Sequence, residues 1–136
     1  MRLSTKSEYA LLALVDLAGR RDGDRVRIED IAKRQRIPRK YLERILLTLR
    51  KGGYLRSRRG KRRGYELARN PSGISLAEIV RLMDGPIASV RSASKYFYAH
   101  SPVERNRALT RLFKDIRDTV ARKMEATTLA SLVERR

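Results

Sequence analysis

The sequence predicts a mainly α chain with one small β-hairpin, and three observations carry that expectation. Capping-box patterns stand at Thr5-Lys6-Ser7-Glu8, Ser75-Leu76-Ala77-Glu78 and Ser101-Pro102-Val103-Glu104, each ahead of an apolar run. Apolar residues recur at helical spacing through most of the chain. Strand-like segments occur only at Leu55–Arg58 and Gly64–Ala68, on either side of the turn RGKRR.

Taken in order, Tyr9 to Ala18 is apolar nearly all the way round, broken only by Asp16, and reads as a central, buried helix. After a turn from Gly19 to Gly23, Ile28, Ile31 and Ala32 mark a second helix. A break at Gln35 to Ile37 separates it from a third, marked by Leu42, Ile45, Leu46 and Leu49. Pro38 suits the first turn of that helix, where a missing N–H is no loss, and Gly52-Gly53 suits its stop. The hairpin follows, so the order is that of a winged helix-turn-helix.

Asn70-Pro71-Ser72-Gly73 punctuates, and a short helix then runs through Ile79, Val80 and Leu82 to Asp84-Gly85-Pro86. The stretch from Ile87 to His100 has no clear period and is expected as a loop. The third capping box opens the longest helix, with Pro102 at its first position and its end near Ala126. Leu109, Leu112, Phe113, Ile116, Val120 and Met124 form one apolar stripe along it, and TTLASLVE reads as one more short helical segment. The expected organisation is therefore a winged DNA-binding domain over 1–83, a loop over 84–101, and a long dimerisation helix with a short terminal helix over 102–136.

At 136 residues and 41% hydrophobic content the chain can bury a real core. No signal-peptide pattern or long apolar run is present, so a soluble, cytoplasmic protein without membrane contact is expected. The net charge of +18 is uneven: residues 1–69 hold 21 Lys+Arg against 8 Asp+Glu, and residues 70–136 hold 12 against 7. Between Lys33 and Arg63, 14 cationic residues accompany a single acid, Glu43. Such a density repels itself unless a polyanion shares it, although a solvated basic face is the plain alternative.

The inward positions of the third helix leave Arg39, Lys40, Glu43 and Arg44 on its outer side near the N-terminus, with Tyr41 beside them. In a helix-turn-helix that end enters the major groove. Arginine and lysine there suit guanine or phosphate, whereas Glu43 repels phosphate and suits cytosine N4; its alternative is an intrahelical ion pair with Arg39 or Lys40. Tyr41 can equally be half packed, with only its hydroxyl reaching a phosphate. Arg58, Arg59, Lys61, Arg62 and Arg63 around Gly60 suit a wing laid on backbone and minor groove. Tyr65 and Leu67 share one strand face and belong with the core. The stripe of the long helix calls for a partner, and a second copy is the simplest one; the alternative is that the helix folds back on its own domain.

Enzymatic readings find little support. Cysteine is absent, which removes thiolate nucleophiles, zinc-thiolate sites and cysteine-ligated clusters, and neither GxxxxGK[ST] nor GxGxxG occurs. The one histidine, His100, stands beside Tyr96, Phe97 and Tyr98 with no ligand partner evident, so neither a metal nor a cofactor is expected.

These blocks together resemble the Rrf-two family of bacterial winged-helix transcription regulators. The resemblance rests on MRLSTKSEYALLAL, IEDIAKRQRIPRKYLERILLTLRKGGYL, SRRGKRRGYELAR, ISLAEIVRLMDGP and TTLASLVE. It implies a homodimer whose long helices cross and whose winged domains each read half of a partly palindromic operator in double-stranded DNA. It further implies backbone contacts from Ser4, Lys6 and Tyr9, and a minor-groove role for Arg59. Two departures stand out. Arg63-Gly64 replaces the family's paired glycines before the wing tyrosine, and Ser92 falls about where the first cluster cysteine of the sensor members lies. The chain thus looks similar to cluster-free members, and an unidentified small-molecule or protein effector would act on the segment that holds Ser92, Tyr96, Phe97, Tyr98 and His100. Two other readings stay open: a nonspecific architectural nucleic-acid binder, and a protein-interaction module on the same fold.

Overall fold

Helix α1 begins on the serine before the expected cap. In the computed structural model, which describes residues 3–20, 24–58, 64–87 and 102–133, α1 spans Thr5–Ala18. Ser4 is extended, with φ −71° and ψ 157°, so its Oγ reaches the Ser7 N–H at 3.1 Å and Thr5 becomes the first helical residue. Ala10, Ala13, Leu14 and Leu17 are buried and place α1 at the centre, as its composition predicts.

Helix α2, Ile28–Gln35, ends on Arg36 in the left-handed region at φ 55°, and the Ile37 N–H returns to the Ala32 carbonyl at 3.0 Å. That reversal leads straight into α3, Arg39–Lys51. Pro38 caps α3 from just outside, its carbonyl accepting the Leu42 N–H at 3.0 Å, rather than occupying the first turn. Leu42, Ile45, Leu46 and Leu49 are buried. The helix stops at Gly52, and Gly53 takes φ +84° so that the Tyr54 N–H reaches the Leu49 carbonyl at 3.0 Å.

Strands β1, Leu55–Arg58, and β2, Gly64–Leu67, pair antiparallel with Leu55 opposite Leu67 and Arg58 opposite Gly64. Val26, in the turn between α1 and α2, adds an isolated bridge on the other side of β2. Its N–H donates to the Tyr65 carbonyl at 2.9 Å and its carbonyl accepts the Tyr65 N–H at 2.8 Å.

A short 3-10 turn at Pro71–Gly73 leads into α4, Leu76–Asp84. Its capping box is complete: Ser75 Oγ accepts from the Glu78 N–H and Glu78 Oε2 from the Ser75 N–H, at 3.2 and 2.8 Å. The start of the long helix differs from expectation. Ser101 lies outside the described residues, Pro102–Arg105 forms a 3-10 turn, and Asn106 caps α5, Arg107–Ala126, by accepting the Leu109 N–H at 3.0 Å. A side chain that satisfies a first-turn donor outranks the proline signal upstream.

Beyond α5 the chain turns back. Thr127 and Leu129 bond Leu76 and Ile74 through the backbone at 2.8 and 3.0 Å, and Ala130–Leu132 forms a last 3-10 turn. Leu129 is fully buried in the same core as Leu14, Ile31 and Leu46, so the winged domain is not complete without this tail. Ala77, Val80, Ile87 and Met124 form a second cluster where α4 meets α5. Among the described residues no helix is long and apolar enough to cross a membrane.

Candidate nucleic-acid interface

Packing the leucine and isoleucine face of α3 inward turns Arg39, Lys40, Tyr41, Glu43 and Arg44 outward along its first turns. Tyr41 is 41% exposed and meets the ring of Tyr9 edge to face, with centroids 5.5 Å apart and planes at 85°. This contact fixes the outer side of α3 against α1. Lys6, Tyr41, Arg44, Ile45 and Thr48 then line a groove of about 350 Å³ in which two cations flank a phenol. Thr48 is a lining residue that the sequence reading did not single out; its hydroxyl donates to the Arg44 carbonyl at 3.1 Å.

Arg39 is already engaged. Its Nη2 lies 3.1 Å from Glu29 Oε1 on α2, and its Nε lies 3.5 Å from Glu43 Oε1 one turn further along α3. The intrahelical pair offered as the alternative role for Glu43 is therefore present, and the acid still stands on the outer side of the helix.

Ser4, which the family resemblance puts on the DNA backbone, has its hydroxyl engaged in capping. Besides accepting from Ser7, it donates to Asp84 Oδ1, and the Ser4 N–H donates to Asp84 Oδ2 at 3.1 Å. Desolvation pushes the Asp84 carboxyl up, but the Ser4 bonds and the charge of Lys6 outweigh it and hold the group below the usual carboxylate range. Asp84 thus ties the end of α4 to the start of α1 beside Lys6. Its only sequence signal was its place at the end of a short helix.

At the wing, the register puts Arg58 opposite Gly64 at the turn end of the hairpin. Arg59, Gly60, Lys61, Arg62 and Arg63 lie outside the described residues, as do Ser92, Tyr96, Phe97, Tyr98 and His100. Arg50 Nη1 donates to Ser57 Oγ at 3.2 Å, linking the end of α3 to the base of the wing. Tyr65 and Leu67 pack against the core.

The apolar stripe of α5 divides. Leu109, Leu112 and Ile116 are exposed, at 36%, 52% and 40%, and Phe113 is half-buried. Val120 and Met124 instead pack onto α4 in the second cluster, which corrects the reading of Met124 as part of a free face. The helix folds back on its own domain at one end, where α4 covers it; α4 is less than half as long as α5 and, among the described residues, Leu109, Leu112 and Ile116 toward the other end stay exposed.

The chain matches the Rrf2 family model, described as "Iron-dependent Transcriptional regulator", over residues 3–135. The HTH-type transcriptional regulator CymR of Bacillus subtilis is 31% identical over 132 residues, which is 97% of this chain and 89% of CymR. A solved structure of CymR superposes with a TM-score of 0.78 at 30% identity, covering 97% of this chain and 95% of that one. The HTH-type transcriptional regulator IscR of Yersinia pseudotuberculosis is 33% identical over 134 residues, 98% of this chain and 79% of IscR. Among the described residues the iron in the family description finds no donor set. There is no cysteine and one histidine, and no three His, Cys, Asp or Glu side chains among the described residues are grouped to hold a metal. An outward recognition helix, a hairpin at its side and a family match across nearly the whole length agree: the chain belongs to the Rrf2 family of winged-helix, DNA-binding transcription regulators, not to any class of enzyme.

Proposed function

We propose that the chain is a cytoplasmic repressor that binds a partly palindromic operator as a homodimer and holds no iron–sulfur cluster. The observation that carries this reading is the outward side of α3, where Arg39, Lys40, Tyr41, Glu43 and Arg44 stand together beside Lys6. Charged groups of both signs on such a surface suit base edges, which differ in donors and acceptors, better than phosphates, which do not. Arg58 and the wing cations beyond it, with Lys6 and Tyr9, supply the backbone contacts in this reading. Leu109, Leu112 and Ile116 supply the interface with the second copy, and twofold pairing makes the operator palindromic. Residues 1–83, closed by the returning tail at Leu129, are the reading unit, α5 carries the pairing face, and 84–101 is the segment on which a small molecule or protein acts.

The experiment is selection of duplexes from a random pool at near-physiological salt, then affinity for the winner and a scrambled control across a salt series. A palindromic winner about 10³-fold or more tighter than the control supports the regulator. The net charge of +18 favours one rival, an architectural protein that binds any duplex; equal affinities with a steep salt slope would establish it.

A further inference from the structure

Two carboxylates from two helices flank one guanidinium at the mouth of the helix-turn-helix. Glu29 belongs to the first turn of α2 and Glu43 to α3, and both reach Arg39, at 3.1 and 3.5 Å. All three side chains are more than half exposed, so neither ion pair holds the fold together to any useful degree. Their value has to be sought in what Arg39 does when DNA arrives.

Arg39 opens the recognition helix in the most cationic part of the chain, where any phosphate is attractive. Two adjacent carboxylates cancel that local attraction. They also hold the guanidinium from two sides, Glu29 at Nη2 and Glu43 at Nε, which restricts how a group with five donors in a fixed fork can turn. A guanine edge requires such a fork in one set orientation; the phosphates along a backbone accept it in many.

We propose that Glu29 is a positioning and specificity-determining residue: paired with Glu43 across Arg39, it presents the guanidinium to a base edge and withholds its charge from phosphates at unspecific sites. Discrimination here comes from lowering the wrong affinity as much as from raising the right one. The inference rests on the DNA-regulator reading above and deepens it.

The test uses the full chain, the duplex selected by the unaltered protein, and a scrambled duplex of equal composition, with affinities measured by fluorescence anisotropy over a salt series. In Glu29→Gln the scrambled duplex should bind more tightly and the selected one no better, so that their ratio falls about fivefold to tenfold, and the salt slope for the scrambled duplex should steepen by about 0.9. In an Arg39→Ala background the same substitution should move the ratio less than about twofold, because Glu29 acts through Arg39. An unchanged ratio in Glu29→Gln overturns the proposal. So does an equal shift with and without Arg39, which would make Glu29 a free-standing repulsive charge. A chain that prefers no duplex over any other would instead overturn the regulator reading, and this inference with it.

Discussion

Arg34 grips both carboxylate oxygens of Asp16, with Nε 3.0 Å from Oδ1 and Nη2 2.9 Å from Oδ2. The acid that interrupts the apolar α1 is thus the point where α2 is fastened to it, and Gln35 adds a bond at 3.3 Å. Asp16 is 5% exposed while Arg34 keeps 38%, so losing the acid leaves a cation that water still reaches. Asp16→Asn should lower stability by about 1 to 3 kcal/mol, read from urea denaturation. A midpoint and slope equal to those of the parent would show that the grip contributes nothing.

Acidification should act on the same carboxylates. Desolvation raises Asp16, but the Arg34 hydrogen bonds and charge more than reverse this and hold it below the ordinary range; Glu78 is lowered in the same sense by Ser75 and Arg69 against its own desolvation. With folded-state values below unfolded ones, the unfolded chain binds more protons, so the stabilisation is complete above the ordinary carboxylate range and is lost as pH falls through the folded values. Melting temperature should therefore hold near neutrality and drop below about pH 4, and the drop should be shallower in Asp16→Asn.

Gly64 has two reasons to be glycine. It sits at φ +143°, and a Cβ placed on it would lie 2.7 Å from the Val26 carbonyl oxygen. Gly64→Ala should cost about 2 kcal/mol or more and loosen the Val26–Tyr65 bridge, seen as faster amide exchange at both residues. Retained protection at Val26 and Tyr65 would contradict this.

Glu43 should matter for which duplex is bound rather than for folding. Glu43→Ala is expected to leave the melting temperature within about 2 °C and to weaken discrimination at one base-pair position by about 1 to 3 kcal/mol. Repeating the duplex selection with the variant checks it; an identical winning motif would remove Glu43 from the reading surface.

For the pairing helix, Ile116→Glu should shift the chain toward monomer in analytical ultracentrifugation by placing an unpaired charge in an apolar contact. Leu112→Ala should act in the same direction more weakly. A dimer indifferent to Ile116→Glu would have its interface elsewhere.

Most elements of this fold were legible because each rests on a local signal. Ser75-Leu76-Ala77-Glu78 closes as a full capping box, and the apolar set of α3 identifies its outward side by subtraction. What escaped the sequence depends on contacts distant along the chain. Ser4 rather than Thr5 caps α1, and its hydroxyl is held in place by donating a hydrogen bond to Asp84, 80 residues away. Val26 pairs with Tyr65 only once the hairpin exists, and nothing near Glu29 announces that Arg39 will lie against it. The stripe of α5 was visible, but its division into an inner and an outer half is set by where α4 ends.

The burial of Leu129 against Ile74 also has a consequence in time. Backbone bonds join residues 74 and 129 and residues 76 and 127, and Leu129 is among the side chains wholly withdrawn from water. A growing polypeptide can form α1 through α4 early, but it cannot seal its interior until synthesis has passed Leu129. Until then the site that Leu129 fills stays open, and a nascent chain stalled before that residue presents its core leucines to whatever chaperone or neighbouring chain is near.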